Sequence, residues 1–504
     1  MKGIKFNMKL DKKDILHIIV IVLGIIFVAV PIFHENLWFD ESYSVGLANH
    51  TFTEIWTIGG NDVHPILYYW ILHIINLIFG NKIICYRLFS LVCISILGIL
   101  GFTHIRKDFG KNVGLIFSFL VFFLPVNMVY TGEIRMYTLA MLLVTLMCIY
   151  AYRVYKNRDK KQIKNWILFA IFSLASAYTH YYALATAGIV NLMLFVFFTK
   201  EAVKEKKITN NLKMFFAIAI PQIILYIPWI VSLLLQVKQV SSGFWISIKF
   251  PDSLIEFFNF QFTGNLGGDA YVNPVIAGIF GILICAYMIY ANIKNKSKEE
   301  KPEKLAILIW GILVLAICLV SLIIWRPIIY ARYMLCVTGL FIFFLSYTMA
   351  EKGNKYITIA ICIISLILSI FVQVKLIQTN YDESNNKHIE YIRENIQKED
   401  IILHKNNVDS FVLDVNFLDN KVYFWNKDNW NVEQAYKAFG YNFKTCENID
   451  ELKNYKGRIW LIDSSEDFTE EIKQELENVQ IVETKSYNVK YHNLHYTITL
   501  VEKD

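Results

Sequence analysis

The sequence predicts a polytopic α-helical membrane protein of about eleven transmembrane helices and one interfacial helix, followed by a soluble α/β domain. Three observations carry that prediction. Hydrophobic residues make up 55% of the 504 and charged residues only 18%, where soluble chains carry about a quarter charged; mean hydropathy is +0.41. Apolar runs long enough to cross a bilayer, about 20 residues each, recur from residue 14 to residue 374. From 376 onward the composition turns polar. A soluble cytosolic enzyme, a disordered hub and a disulfide scaffold are all excluded. The expected domains are 1–375 in the membrane and 376–504 outside it.

The candidate spans lie at 14–33, 85–105, 113–131, 136–153, 166–182, 183–198, 214–235, 274–291, 305–325, 333–349 and 356–374. The run at 66–79 is shorter and rich in Tyr, Trp, His and Asn, which favours a helix lying along the interface. With that helix flat, one set of connections, including the N-terminal tail, holds 26 Lys and Arg residues and the other holds 7. The positive-inside rule then puts the N-terminus in the cytoplasm and the C-terminal domain outside. The first run follows a basic stretch, but it is too long for a signal peptide and lacks a small-residue cleavage site, so it reads as a retained signal-anchor. Beyond 376, strands are expected at 400–404, 421–425, 458–463 and 496–501, with amphipathic helices at 387–397 and 469–478.

The net charge of +6 is a cancellation. Residues 375–504 hold 16 basic and 24 acidic side chains, while the remainder holds 33 basic and 19 acidic. The excess of positive charge belongs to the cytoplasmic loops and signals no nucleic acid. Seven of the eight cysteines lie in or at apolar runs and Cys446 is alone in the outer domain, a pattern that suggests neither disulfide nor zinc.

The residues with chemical potential cluster on the external side. The loop 34–65 has no Lys or Arg and begins Leu37-Trp38-Phe39-Asp40-Glu41-Ser42-Tyr43. Its aromatic rings suit the headgroup region, and one carboxylate there can take a proton from an incoming hydroxyl. An ordinary acidic loop fits the same residues. Next comes Asp62-Val63-His64-Pro65-Ile66-Leu67-Tyr68-Tyr69. His64 suits donation to a phosphate at headgroup level, and Pro65 suits the first position of a helix; a capped helix start with solvated Asp62 and His64 is the plain alternative. Glu133-Ile134-Arg135-Met136-Tyr137 stands between the third and fourth spans. Boundary charges are costly unless used or paired, so a structural Glu133–Arg135 pair competes with a functional role.

Two further clusters face outward. Tyr178-Thr179-His180-Tyr181-Tyr182 links the fifth and sixth spans and fits an aromatic belt as well as a site. Arg326-Pro327-Ile328-Ile329-Tyr330-Ala331-Arg332-Tyr333 separates the ninth and tenth. Arg suits bidentate phosphate recognition, and interface snorkelling is its alternative. The loop 236–273, with Gly264-Asn265-Leu266-Gly267-Gly268-Asp269, suits a lid or a solvated connector.

Together and in this order, these motifs resemble the family-39 membrane glycosyltransferases of the GT-C fold, a group that includes protein O-mannosyltransferases and lipid A aminoarabinose transferases. The resemblance rests on Trp38-Phe39-Asp40-Glu41, His64-Pro65 with Tyr68-Tyr69 and Phe79-Gly80, Arg87-Leu88, Glu133-Ile134-Arg135-Met136-Tyr137, Thr179-His180-Tyr181 and Arg332-Tyr333, and covers residues 15–350. Where many relatives have a second proline after His-Pro, this chain has Ile66. The oligosaccharyltransferase signature Trp-Trp-Asp-Tyr-Gly is absent.

The resemblance implies a sugar donor carried on a polyprenyl monophosphate and a single inverting displacement at the outer face of the membrane. Asp40 matches the catalytic acid of the family and becomes the expected general base. Glu41 is expected to orient a loop or the acceptor, and Glu133 to be a second acidic contributor. His64, Tyr69, Arg135, Tyr137, His180, Arg326 and Arg332 are expected to bind substrate or its phosphate, because preorganised donors count most where charge develops. No metal site is expected and no cofactor beyond the lipid-linked donor; there is no Asp-x-Asp ligand pair. Sugar and acceptor stay open. The rival readings are a transporter or flippase of lipid-linked saccharides, against which the absence of a visible repeat speaks, and a binding module built on Trp425, Trp430 and Trp460, for which strand-core packing is the alternative. Richness in Ile, Lys and Asn suits an AT-rich prokaryotic genome and a plasma-membrane location.

Overall fold

Apolar helices account for most of the chain, and their lengths decide which of them cross a bilayer. The structure is a computed structural model and describes residues 10–243, 246, 252–264, 270–294, 302–405, 408–425, 433–446, 449–463 and 467–504. Lys2, Lys5, Lys9 and Lys249 lie outside the described residues, as do 295–301 of a basic connection, 265–269 of the glycine-rich loop, and Trp430.

Among the described residues nine helices are long and apolar enough to span, from Lys12–Ile32 to Lys355–Asn380. The run at 113–131 is a bent pair, Lys111–Phe123 and Pro125–Gly132, meeting at 59°. Leu124 is extended at the break and Pro125 opens the second piece, where its missing N–H costs nothing. The run at 166–182 is a 15-residue helix, Ile163–Ala177. The eleven expected runs are therefore nine full spans, one broken span and one short helix, in a multi-pass membrane protein. Numbering from the N-terminus, α1 is Lys12–Ala29, α2 is Phe39–Ala48, α3 is Phe52–Gly59 and α4 is Leu67–Phe79. The 13 residues of α4 are too few to cross.

One expectation is corrected. The described part of the loop 236–273 is largely helical: the helix Asn210–Ser242 runs 33 residues without stopping at 235, and Asp252–Thr263 forms a helix of its own. The apolar window ended where the polar turns of the same helix begin, so hydropathy alone placed the boundary too early.

The basic connections gather at one end of the bundle. There Arg106 and Lys111 pair with Asp14, Arg153 with Asp108, and Arg158 with Glu201. At the opposite end sit α2, α3 and the C-terminal sheet region. That sheet has six strands, β1 Ile401–Lys405, β2 Lys421–Trp425, β3 Asn442–Cys446, β4 Gly457–Asp463, β5 Val479–Val489 and β6 Leu494–Lys503, in the order β3-β2-β1-β4-β6-β5. β1, β2, β3 and β4 are mutually parallel, while β6 runs antiparallel to both β4 and β5. β3 and β5, which hydropathy patterning missed, are the two edges. β5 reads VQIVETKSYNV and is mostly exposed, as polar edge strands are. Trp425 and Trp460 are buried in the sheet core, so they pack rather than bind.

The sheet region sits directly on α2. A Cβ at Gly46 would stand 2.2 Å from the Ala438 carbonyl oxygen, an approach only glycine permits. Phe39 packs on Phe439 at 5.3 Å between ring centroids, and the Tyr441 hydroxyl donates to the Asn49 carbonyl at 3.2 Å. The segment around 438–441 thereby holds α2 from its first residue to its C-cap.

Candidate active site

Asp40 and Glu41 occupy the first turn of α2. Trp38 at the N-cap is extended and offers no side-chain cap, so the unpaired N–H groups of that turn favour carboxylates. Successive helical residues point about 100° apart, and the two acids face different surroundings.

Glu41 turns into the protein. Its side chain and that of Arg87 are both fully buried, with Arg87 Nη1 donating to Oε1 at 2.6 Å and Nη2 to Oε2 at 3.2 Å. The Ile134 backbone N–H donates to Oε1 at 2.9 Å, and the Tyr491 hydroxyl donates to Oε2 at 3.0 Å. Arg87 also donates to the carbonyls of His34, Asn36 and Gly132. This cluster ties α2 to the helix Ile83–Leu100, to the 133–135 segment and to the sheet region. Of the two roles open for Glu41, orienting a loop fits; contact with an acceptor does not, because both oxygens are already engaged.

Asp40 turns the other way. Its Oδ2 lies 3.0 Å from Arg332 Nη2 and 3.9 Å from Arg135 Nε. Arg135 Nη1 further donates to the Asp40 carbonyl at 3.0 Å and to Ser44 Oγ at 3.2 Å. Arg135 therefore pairs with Asp40, which corrects the structural pair with Glu133 as its alternative. The Arg332 guanidinium lies over the rings of Tyr330 and Trp38, 5.0 and 5.5 Å from their centroids. Around this cluster Tyr43, Tyr69 and Tyr137 have buried hydroxyls without a hydrogen-bond partner, and the same holds for His180 Nε2 and Glu133 Oε2. Protein interiors leave few polar atoms unsatisfied, so such a concentration marks a place for a polar ligand. Burial pushes the Glu133 carboxyl up to about 8, with the charge of Glu41 adding to it.

Beside the cluster, His64 and His180 face each other at 5.7 Å between centroids, and Tyr333 packs against both. Burial, then the charges of Arg135 and Arg332, hold the His180 imidazole down at about 3. The same causes, with His180, keep His64 well below its usual range. Both rings are neutral at neutral pH, each with one N–H to give. They line a cavity of 260 Å³ together with Tyr181, Tyr182, Tyr333 and Gln236, and the rest of its wall is apolar, including Leu184, Leu233, Val237, Ile317 and Val320. Arg326 does not join them. It is half-buried and donates to the carbonyls of Ser241 and Ser242 at the end of the helix Asn210–Ser242, which removes it from the expected phosphate ligands. Among the described residues no three His, Cys, Asp or Glu side chains converge as a metal site would require.

The whole chain superposes on ArnT from Cupriavidus metallidurans, in crystal structures bound to undecaprenyl phosphate and in the apo state. Each gives a TM-score of 0.59 at 10% identity, covering 96% of this chain and 97% of that one. The chain has the ArnT fold. Residues 63–241 match the family described as dolichyl-phosphate-mannose-protein mannosyltransferase, and residues 271–416 match the family described as predicted membrane protein (DUF2232). No curated protein matches the chain.

On the ArnT fold the site draws on both matched regions and on neither. His64, Tyr69, Glu133, Arg135, Tyr137 and His180 fall in the first match, Arg332 in the second, and Asp40 and Glu41 precede both. Two residues here are not singled out by local sequence. Arg87 stands there only as part of the Arg87-Leu88 motif, although a lone Arg inside an apolar run demands a buried counterion. Asp62, solvated in the plain alternative for its segment, is half-exposed. Its carboxyl is enclosed enough that burial pushes it up to about 6 against the pull of Arg135.

Proposed function

We propose that this protein is a membrane glycosyltransferase that moves a sugar from a polyprenyl-monophosphate donor to an acceptor hydroxyl. The observation that carries the reading is the junction at Asp40. A carboxylate stands between two guanidiniums, 3.0 Å from Arg332 and 3.9 Å from Arg135, beside a cavity lined by His64 and His180 and otherwise largely apolar. A phosphate-headed lipid matches that mix of polar and apolar surface. The ArnT fold, the structure of ArnT with undecaprenyl phosphate, and the mannosyltransferase match over 63–241 support the same donor class.

The chemistry follows from the placement. The donor phosphate draws Arg332 and Arg135, with His64 and His180 donating N–H groups from the cavity side, and Tyr69 and Tyr137 offering hydroxyls. Once Arg332 is engaged by phosphate, the Asp40 carboxylate is released to accept the proton of the acceptor hydroxyl. The acceptor oxygen then bonds to C1 of the sugar as the C1–O bond to phosphate breaks, inverting that carbon. The electron pair goes to the phosphate, whose growing charge meets two preorganised cations in a water-poor site. Glu41 positions α2 without touching substrate. Glu133, neutral near neutral pH, is a hydrogen-bond donor to the sugar or phosphate. The lipid-linked donor is the only helper molecule in this scheme.

The site end of the bundle faces away from the cytoplasm in this reading, because the basic connections gather at the other end. A plasma-membrane location is part of the same proposal, as is the division into a membrane domain and a soluble domain near 375. The decisive assay follows polyprenyl phosphate release from lipid-linked sugars by the wild type and by Asp40→Asn. Release by the wild type and none by a folded Asp40→Asn is expected. Movement of intact glycolipid without release would make the protein a flippase, and wild-type release by Asp40→Asn would remove Asp40 from the mechanism.

A further inference from the structure

The turn that joins β5 to β6 reaches from the sheet region into the site. Its residues Tyr491, His492 and Asn493 form a tight turn in which both His492 (φ +56°) and Asn493 (φ +51°) adopt the left-handed conformation. That conformation is uncommon for any residue with a Cβ, and Asn and His are among those that adopt it most readily. The Tyr491 backbone N–H is fixed by Asn385 Oδ1 at 3.0 Å, and its hydroxyl reaches Glu41. The His492 ring lies flat on Trp38, 4.6 Å between centroids and 8° from parallel. Trp38 in turn carries the Arg332 guanidinium at 5.5 Å, and Arg332 reaches Asp40 at 3.0 Å. The contacts form an unbroken column, His492 to Trp38 to Arg332 to Asp40.

A left-handed residue other than glycine carries a backbone cost that its surrounding contacts must offset. Here the strained backbone aims the imidazole at the residue that caps the N-terminus of α2. The planar rings and the guanidinium are the kind of surfaces that stack on one another.

We propose that the 491–493 turn is a positioning element of the phosphate site: through His492 and Trp38, the sheet region holds Arg332 where it meets the donor phosphate. The inference rests on the proposed donor class. The sheet region then completes the membrane site, so that its docking governs donor affinity.

The test measures binding of undecaprenyl phosphate to the full-length protein in detergent, together with the thermal unfolding midpoint of each variant. His492→Asn and His492→Gly both accept a positive φ and both remove the ring. Each is expected to weaken binding roughly fivefold, the size of one lost stacking contact, at an unchanged midpoint. His492→Tyr keeps a ring and is expected to bind within about twofold of the wild type, a rescue that a purely architectural role does not produce. Wild-type binding by the ringless variants, or a loss in His492→Tyr equal to theirs, overturns the inference. Arg332→Ala separates the two levels. If it weakens binding while the ringless variants do not, the positioning role fails and the phosphate site stands. If Arg332→Ala binds as tightly as the wild type, the phosphate site itself fails and the inference falls with it.

Discussion

Asp40 and Glu41 are neighbours on one helical turn, and the protein treats them in opposite ways. Glu41 is sealed: both oxygens are engaged by Arg87, the Ile134 N–H and the Tyr491 hydroxyl. Asp40 is open: its side chain keeps 19% of its surface accessible, and two guanidiniums approach it. Sealed charges cost desolvation and return it as fixed geometry. Open charges keep an interaction to give to a substrate. Adjacent acids on one turn are thus placed in different surroundings, one locked into the protein and one left accessible beside two cations.

The largest effects separate the two residues. Asp40→Asn is expected to lower transfer by roughly 10²–10⁴-fold, the range for loss of a general base, with a smaller loss of stability than Glu41→Ala, because the amide keeps the shape of a side chain that is 19% accessible. Glu41→Ala is expected to do the reverse first: it leaves Arg87 buried without its partner, at about 3–5 kcal/mol of stability, read as a fall in the thermal midpoint. If Glu41→Ala is as stable as Asp40→Asn, the division fails.

Next in size is Arg332→Ala, with an expected loss of about 10²–10³-fold in turnover, carried by the donor and not the acceptor. Steady-state kinetics with each substrate varied in turn checks this; a change in acceptor kinetics alone would take Arg332 off the phosphate.

The smallest effect is a pH dependence. The Glu133 carboxyl titrates near 8 in the folded protein because of burial, and near 4.3 when unfolded. Between these values the folded state holds a proton that the unfolded state has lost, so stability falls as pH rises toward 8. His64 and His180, held low by burial, act oppositely but only below about 6.5, the unfolded histidine value. From pH 6.5 to 8 the wild-type midpoint is expected to drop more than that of Glu133→Gln. Parallel curves would show that Glu133 is ionised throughout.

Much of this was legible in the sequence, and for definable reasons. Span lengths follow from bilayer thickness, so hydropathy located the helices and, by shortness, α4. The motif resemblance named Asp40, Arg135 and Arg332, residues from three distant segments that the fold does bring together. Arg326 was misjudged because loop residues six apart share composition but not direction; its guanidinium satisfies carbonyls at a helix end. Roles set by tertiary contact were beyond reach. Nothing local to Tyr491 or His492 reports that they meet Glu41 and Trp38 some 450 residues earlier, and the edge strands β3 and β5 lacked the apolar runs that marked β1 and β4.

The central claim is that a lipid phosphate sits between Arg135 and Arg332 with Asp40 beside it. A structure of the full chain with undecaprenyl phosphate tests this most directly. The phosphate is expected within hydrogen-bond distance of Arg135 and Arg332, with the isoprenyl chain running past His64 and His180 along Leu184, Val237 and Val320. Density for the phosphate at the other end of the bundle, in the apolar cavity bounded by Phe109, Tyr155 and Phe197, would contradict the account.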